Sequence, residues 1–221
     1  MKAPEVKGKR ATPHRKLPGP RKSNELVRLV YDDQMKQVHE DVQHRILLSA
    51  RAEFAAFGLA GSRVDRIASN AHASKERLYA YFSDKAALFQ AVLDLNGCEF
   101  YDAVSLRADR VPEFVGDLFD HSLSHPEHLR MLTWARMDGL DFAMPTGQQA
   151  PAGKVEILRE AQRQGFIDPE WDAELLMPML FALGFAWANS PVKDALHADP
   201  ETVARQRAAA VRAAHRLIDP S

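Results

Sequence analysis

Cysteine is almost missing from this 221-residue chain. The single Cys98 excludes an internal disulfide and any zinc site built from several cysteines, and it suits a reducing compartment. No apolar run approaches the roughly 20 residues needed to cross a bilayer, and the N-terminus lacks the apolar centre of a signal peptide. A cytoplasmic location without membrane contact is therefore expected. Bulk charge is also lacking. The formal net charge is -1, so any nucleic-acid surface must be local. The chain has no glycine-rich phosphate loop, no HExxH and no nucleophile elbow. Without a convergent set of reactive groups, no enzyme, cofactor or metal is expected. What is present, 46% apolar and 27% charged residues, is the composition of a globular protein. The length suits one large helical domain, or a small domain on a bigger one.

Residues 1–34 read as a basic, disordered tail. Lys2, Lys7, Lys9, Arg10, Arg15, Lys16, Arg21 and Lys22 stand against Glu5, and Pro4, Pro13, Pro18 and Pro20 break any helix. Such a tail serves either as a solubilising extension or as an arm adding phosphate or minor-groove contacts to DNA. Helical pattern begins between Asn24 and Gln37. Val42, Ile46, Leu47, Ala50, Phe54 and Phe57 recur at three- and four-residue spacing until Gly58.

The organising stretch is Ser62–Phe89. Ser62 is expected to cap a short helix carrying Val64, Ile67 and Ala68, with Asp65 in the acidic position of a capping box. Asn70, Ala71 and His72 fill a turn. Ser74 caps a second short helix from Lys75 to Tyr79, and Ser83 caps a third, longer one. Two short helices about a tight turn make a helix-turn-helix, spanning residues 35–83 with the helix before it. Phe54, Phe57, Ile67, Leu78 and Phe82 would form its core. In such a unit the N-terminal residues of the second helix face base edges. Here these are Ser74, Lys75, Glu76 and Arg77, with Arg77 suited to guanine and Glu76 to cytosine. Tyr79, Tyr81, Lys85, Ser62, Arg63 and Arg66 are candidates for phosphate or sugar contacts.

Residues 45–91, RILLSARAEFAAFGLAGSRVDRIASNAHASKERLYAYFSDKAALFQA, closely resemble the DNA-binding domain of the TetR family of bacterial transcriptional regulators. The matching features include Ser62, Ile67-Ala68, Ser74-Lys75, Leu78-Tyr79, Tyr81-Phe82, Lys85 and Leu88-Phe89. The resemblance implies an all-α homodimer: a three-helix head, a connecting helix and a ligand-binding body. It implies repression of a neighbouring operon and release from DNA on binding a small molecule. His72 stands where the family often has glycine, so a positive φ there would strain the turn. Ala73 replaces a common valine.

The body, residues 84–221, reads as further helices. One runs from Asp84 to Phe100 or Ala103 and another from Pro112 to Leu123. A third opens at Pro126, with Leu129, Leu132, Thr133 and Met137 recurring and Trp134 beside them. Residues 143–153 read as a loop and Lys154–Gln164 as a helix closed by Gly165. The most apolar helix is expected over Pro169–Asn189, behind an Asp168 cap and with Pro178 inside it. A last helix spans Pro200–Ile218. These last two are expected to build a four-helix homodimer interface. Met131, Trp134, Met137, Phe142, Met177, Phe181 and Trp187 suit a pocket for flat hydrophobic molecules, and otherwise serve as ordinary core. His128, Arg130, Arg136, Asp138 and Asp141 are polar candidates beside them. His121, His125 and His128 have metal-ligand spacing, but the break at Ser124–Pro126 should spoil a shared face.

The sequence therefore points to an all-α, DNA-binding transcriptional regulator. It would bind an inverted-repeat operator and leave it when a small hydrophobic or aromatic effector binds. The alternatives are a dimeric DNA-binding protein that needs no ligand, and an activator or global regulator.

Overall fold

The computed structural model describes residues 23–139, 151–190 and 199–219, with the backbone alone for residues 23–40 and 151–152. The chain divides into residues 1–41, where helix begins at Ser23, and residues 42–221. The described secondary structure is all helical: α1 (Ser23–Gly61), α2 (Val64–Asn70), α3 (Lys75–Tyr81), α4 (Lys85–Ala103), α5 (Val111–Ser124), α6 (Pro126–Met137), α7 (Pro151–Arg163), α8 (Ala173–Gly184) and α9 (Pro200–Ile218). The tail boundary expected at residue 34 falls inside α1. The last proline before this helix is Pro20, so no proline breaks it from Ser23 onward, and the backbone leaves helical geometry at Gly58 (φ 66°, ψ -178°), where the sequence ends it. Residues 1–22 and 143–150 lie outside the described residues.

From Val42, α1 buries Ile46, Ala50 and Phe54 against Ile67 and Ala68 of α2, Leu78 of α3, and Leu88, Phe89 and Val92 of α4. Phe54 and Phe89 meet edge to face at 4.9 Å. Polar ties fix α1 to the turn unit: Arg45 Nε donates to Ala71 O (3.3 Å) and Ser49 Oγ to Ile67 O (2.9 Å). The turn adopts φ 52° at His72, the strained conformation expected there. Ser74 caps α3 as expected, accepting from Arg77 N at 3.1 Å.

Two capping expectations fail. Ser62 does not cap α2; its hydroxyl donates back to Leu59 O (2.9 Å), and Arg63 holds the cap position. The cap is supplied from α1, where the Glu53 carboxylate accepts from Arg63 N (2.8 Å) and grips Arg66 (2.6 Å). Burial opposes ionisation of Glu53, but these donors outweigh it and hold the carboxyl below its ordinary value. Ser83 likewise yields to Asp84, which accepts from Ala87 N (2.8 Å) and caps α4. Phe57 is 48% exposed rather than core, with the Arg66 guanidinium 4.6 Å above its ring.

In the body, α5 lies against α8 and α9. A Cβ at Gly184 would collide with Leu118, so glycine is what lets α5 and α8 cross closely. Val104, Phe114, Leu118, Leu158, Leu176, Leu180 and Ala214 share one core. The penultimate helix is shorter than expected. Asp168 accepts from Glu170 N in a turn, and Asp172 caps α8, which ends at Gly184. The last helix matches its expected span, with Asp199 accepting from Thr202 N (3.0 Å).

Lys154 of α7 is 1% exposed in this core. Its ammonium donates to Val104 O (2.7 Å) and lies 5.3 Å from the rings of Tyr101 and Phe114. Burial pushes its pKa down to about 8. The unfolded chain, with an ordinary lysine near 10.5, then binds more protons between those values. Folding stability from this group therefore rises with pH across that window. Urea unfolding of wild type and Lys154→Met at pH 8, 9 and 10 should show wild type gaining on the variant by on the order of 1 kcal/mol per pH unit. A constant difference would show that the buried ammonium carries no such strain.

Candidate functional site

Two places on this fold gather chemistry: the outer face of α3, and a cavity between α4, α5, α6 and α8.

On α3, Lys75, Glu76, Arg77 and Tyr79 are exposed together. Lys75 pairs with Asp65 of α2 at 2.8 Å, and the ammonium's hydrogen bond holds that carboxyl below its ordinary value. Arg77 makes no ion pair among the described residues, which leaves its guanidinium available. The other sequence candidates are placed differently. Ser62 is buried and Ser74 is occupied as a cap. Arg63 is exposed, while Arg66 is held by Glu53. Tyr81 is half-buried against Phe82. Lys85 donates to the carbonyls of Ser62 (3.2 Å) and Ala60 (3.4 Å), so its charge already serves the end of α1.

The cavity has a volume of about 470 Å³, within the usual range for small-molecule sites. Asn96, Gly97, Phe100 and Tyr101 of α4 line it, with His121 of α5, and His128, Leu129, Leu132, Ala135 and Arg136 of α6. Pro178, Phe181 and Ala182 of α8 close it, with Phe185 and Asn189 beyond. Of the seven residues expected here from sequence, Phe181 lines the wall. Met131 belongs to the core of the head, and Met177 to the core of the body. Trp134 covers Gly58 and donates Nε1 to Ala55 O at 3.3 Å. Trp187 packs edge-on against Phe119. Met137 is 71% exposed, because it follows the last inward turn of α6. Phe142 lies outside the described residues, as does Asp141.

The three histidines do come together. The α5–α6 break turns the chain back at His125 and brings all three rings within 5.1 Å of one another. His121 Nε2 is 3.1 Å from His128 Nδ1, and His128 Nε2 is 3.2 Å from Glu99 Oε2. The same carboxylate oxygen is 2.8 Å from Arg51 of α1. Burial, with Arg51 and His121 nearby, pushes the His128 pKa down to about 4, and burial lowers that of His121. Both rings are therefore neutral near pH 7. His128 Nε2 is near the Glu99 carboxylate without a well-aligned hydrogen bond, so the bond the two rings share is His121 Nε2 with His128 Nδ1, one nitrogen donating and the other accepting. The spacing of these histidines was the one sequence signal for this network. Glu99, Arg51 and Asn96 gave none.

Comparison with known proteins matches this division of the chain. Residues 46–92 match the family model "Bacterial regulatory proteins, tetR family", and residues 110–216 match "Tetracyclin repressor-like, C-terminal domain". The HTH-type transcriptional repressor SCO4008 of Streptomyces coelicolor is 36% identical over 152 residues, covering 67% of this chain and 79% of that protein. The crystal structure of SCO4942 from Streptomyces coelicolor is 37% identical with a TM-score of 0.72, covering 81% of this chain and 99% of that one. A TetR family transcription regulator from Marinobacter aquaeolei VT8 shares the fold at 19% identity, with a TM-score of 0.67 over 84% of this chain and 100% of that one. The chain thus belongs to the tetR family of bacterial regulatory proteins, helix-turn-helix DNA-binding regulators of transcription.

Proposed function

We propose that this protein is a ligand-responsive repressor. It holds an inverted-repeat operator as a homodimer and leaves it when a small aromatic effector fills the cavity. The observation that carries this reading is the position of α6. Met131 lies in the core of the head, Ala135 touches both that core and the cavity, and Leu129, Leu132 and Arg136 of the same helix line the cavity. An effector that displaces the cavity side of α6 displaces the head side with it. Packed interiors do not deform smoothly, so such a shift moves Trp134 against Gly58 and α4 against α1 as a step.

In this reading α3 enters the major groove. Arg77 and Glu76 read base edges, Lys75 and Tyr79 hold phosphate or sugar, and Arg63 adds a phosphate contact. The relative SCO4008 is named a repressor, which supports the sign of regulation. Homodimerisation is supported by α8 and α9. Leu175 is 64% exposed and Met179 39% exposed, and Met179 borders a groove with Leu183, Ala213 and Leu217. A second copy would cover such an apolar face in a four-helix contact.

Binding to DNA upstream of the protein's own gene, measured with and without a panel of flat aromatic compounds, tests the proposal. Specific binding that one compound abolishes is the expected result; specific binding that no compound of a broad panel alters would favour a dimer that needs no ligand. Arg77→Ala should relax discrimination at one base pair by about 1–3 kcal/mol, whereas Tyr79→Phe should weaken all sequences alike. Equal losses on specific and non-specific DNA for both variants would remove Arg77 from base reading. Leu175→Glu combined with Met179→Glu should shift sedimentation from dimer to monomer while the helical circular dichroism persists. A dimer that survives both charges would place the interface elsewhere.

A further inference from the structure

Asn96 is 4% exposed on α4, and both polar atoms of its side chain lack a hydrogen-bond partner among the described residues. The residue lines the cavity with its two polar atoms covered, so an effector meets them when the side chain turns outward. A buried carboxamide with neither group satisfied costs more than the bonds it could make would return, unless something else completes it. Its N–H₂ and C=O stand side by side, and the complement of that pair is an adjacent acceptor and donor fixed in one plane.

The remaining wall narrows the class. Phe100 lies 6.0 Å from Phe181 and 6.4 Å from Phe185, with the His121 ring edge-on to Phe100 at 5.1 Å. These rings suit a flat aromatic body. Fixed charge is scarce. The Tyr101 phenol is pushed up to about 12 by burial and stays neutral, as do His121 and His128. Glu99, one ring behind the wall, already faces Arg51. Among the described residues, Arg136 is the one fully charged side chain lining the cavity, and it is exposed. A cation buried here would find no free counter-charge among the described lining residues, and an anion would find only the solvated Arg136.

We propose that the effector is an uncharged, flat, aromatic molecule carrying a lactam-type N–H and C=O, which pair with the Asn96 carboxamide. This rests on the reading of the cavity as the effector site. A planar lactam accepts from the Asn96 N–H₂ and donates to its C=O, closing a ring of two hydrogen bonds. Selectivity follows from the site: an analogue without the polar pair leaves the carboxamide as unsatisfied as it is now.

Equilibrium dialysis of the full-length protein against four tricycles of matched shape tests this: 6(5H)-phenanthridinone, phenanthrene, phenanthrene-9-carboxylate and N-methylphenanthridinium. Wild type is compared with Asn96→Leu and Asn96→Ala. The affinity ratio of lactam to hydrocarbon should fall about tenfold or more in both variants, and both ions should bind wild type more weakly than the lactam. Asn96→Leu should melt no lower than wild type, since the lost amide satisfies nothing in the free protein; a lower melting temperature would give Asn96 a structural role and overturn the assignment. If lactam and hydrocarbon both bind and their ratio is unchanged by substitution, the pairing is wrong while the cavity reading stands. Tighter binding of either ion overturns the uncharged class. If none of the four binds wild type, the effector-cavity reading and this proposal fall together.

Discussion

Met131 is packed into the apolar core of the helix-turn-helix head, Leu129 and Leu132 on the same stretch of α6 face the cavity, and Ala135 touches both. That shared helix is the constraint on which the proposed regulation rests. The Trp134 indole lies so close to Gly58 that an added Cβ would sit 2.7 Å from its ring. Gly58 also holds φ 66°, so side chains are doubly disfavoured there. The contact couples α6 to the end of α1 through a rigid aromatic plate rather than through a loop. Arg51, Glu99, His128 and His121 run beside it as a polar line from α1 to the cavity wall. Apolar packing and charge thus connect the same two places, and neither link requires a moving segment.

The head shows how capping is shared between helices. Glu53 lies on α1, yet it satisfies the first amide of α2 and restrains Arg66. This fixes α2 so that α3, capped by its own Ser74, projects Lys75, Glu76, Arg77 and Tyr79. Lys85 completes the arrangement by meeting the terminal carbonyls of α1. Cations that look alike in sequence therefore divide by role. Arg66 and Lys85 hold the head together, and Arg77 remains available.

Much of this was legible in the chain itself. The helix-turn-helix, the Ser74 cap, the strained His72, the α5 and α6 starts at proline and the full span of α9 follow from periodicity and local stereochemistry, which act within a few residues. Local propensity misleads where a stronger group competes. Serine suits the cap position, which favours Ser62 and Ser83, but Glu53 and Asp84 offer stronger, charged acceptors. The apolar run of the penultimate helix continues through Trp187 and suggests a longer helix, whereas the backbone turns at Phe185. The cavity was least legible. Aromatic and methionine content finds buried residues but not which of two cores they enter: Phe181 faces the cavity, while Met131 and Met177 fill cores on either side. The histidine turn was visible as spacing, but its reversal at His125 is a three-dimensional fact.

The central claim is that filling the cavity moves α6 and weakens the grip on DNA. It is tested most directly without any effector, by placing the bulk there with Leu132→Trp and measuring affinity for the protein's own upstream DNA by fluorescence anisotropy. The account predicts a loss of about tenfold or more, the scale of a typical coupling between sites, in a variant that still folds and dimerises. A folded, dimeric variant with wild-type affinity would contradict it, because the cavity and the DNA-binding head would then be independent.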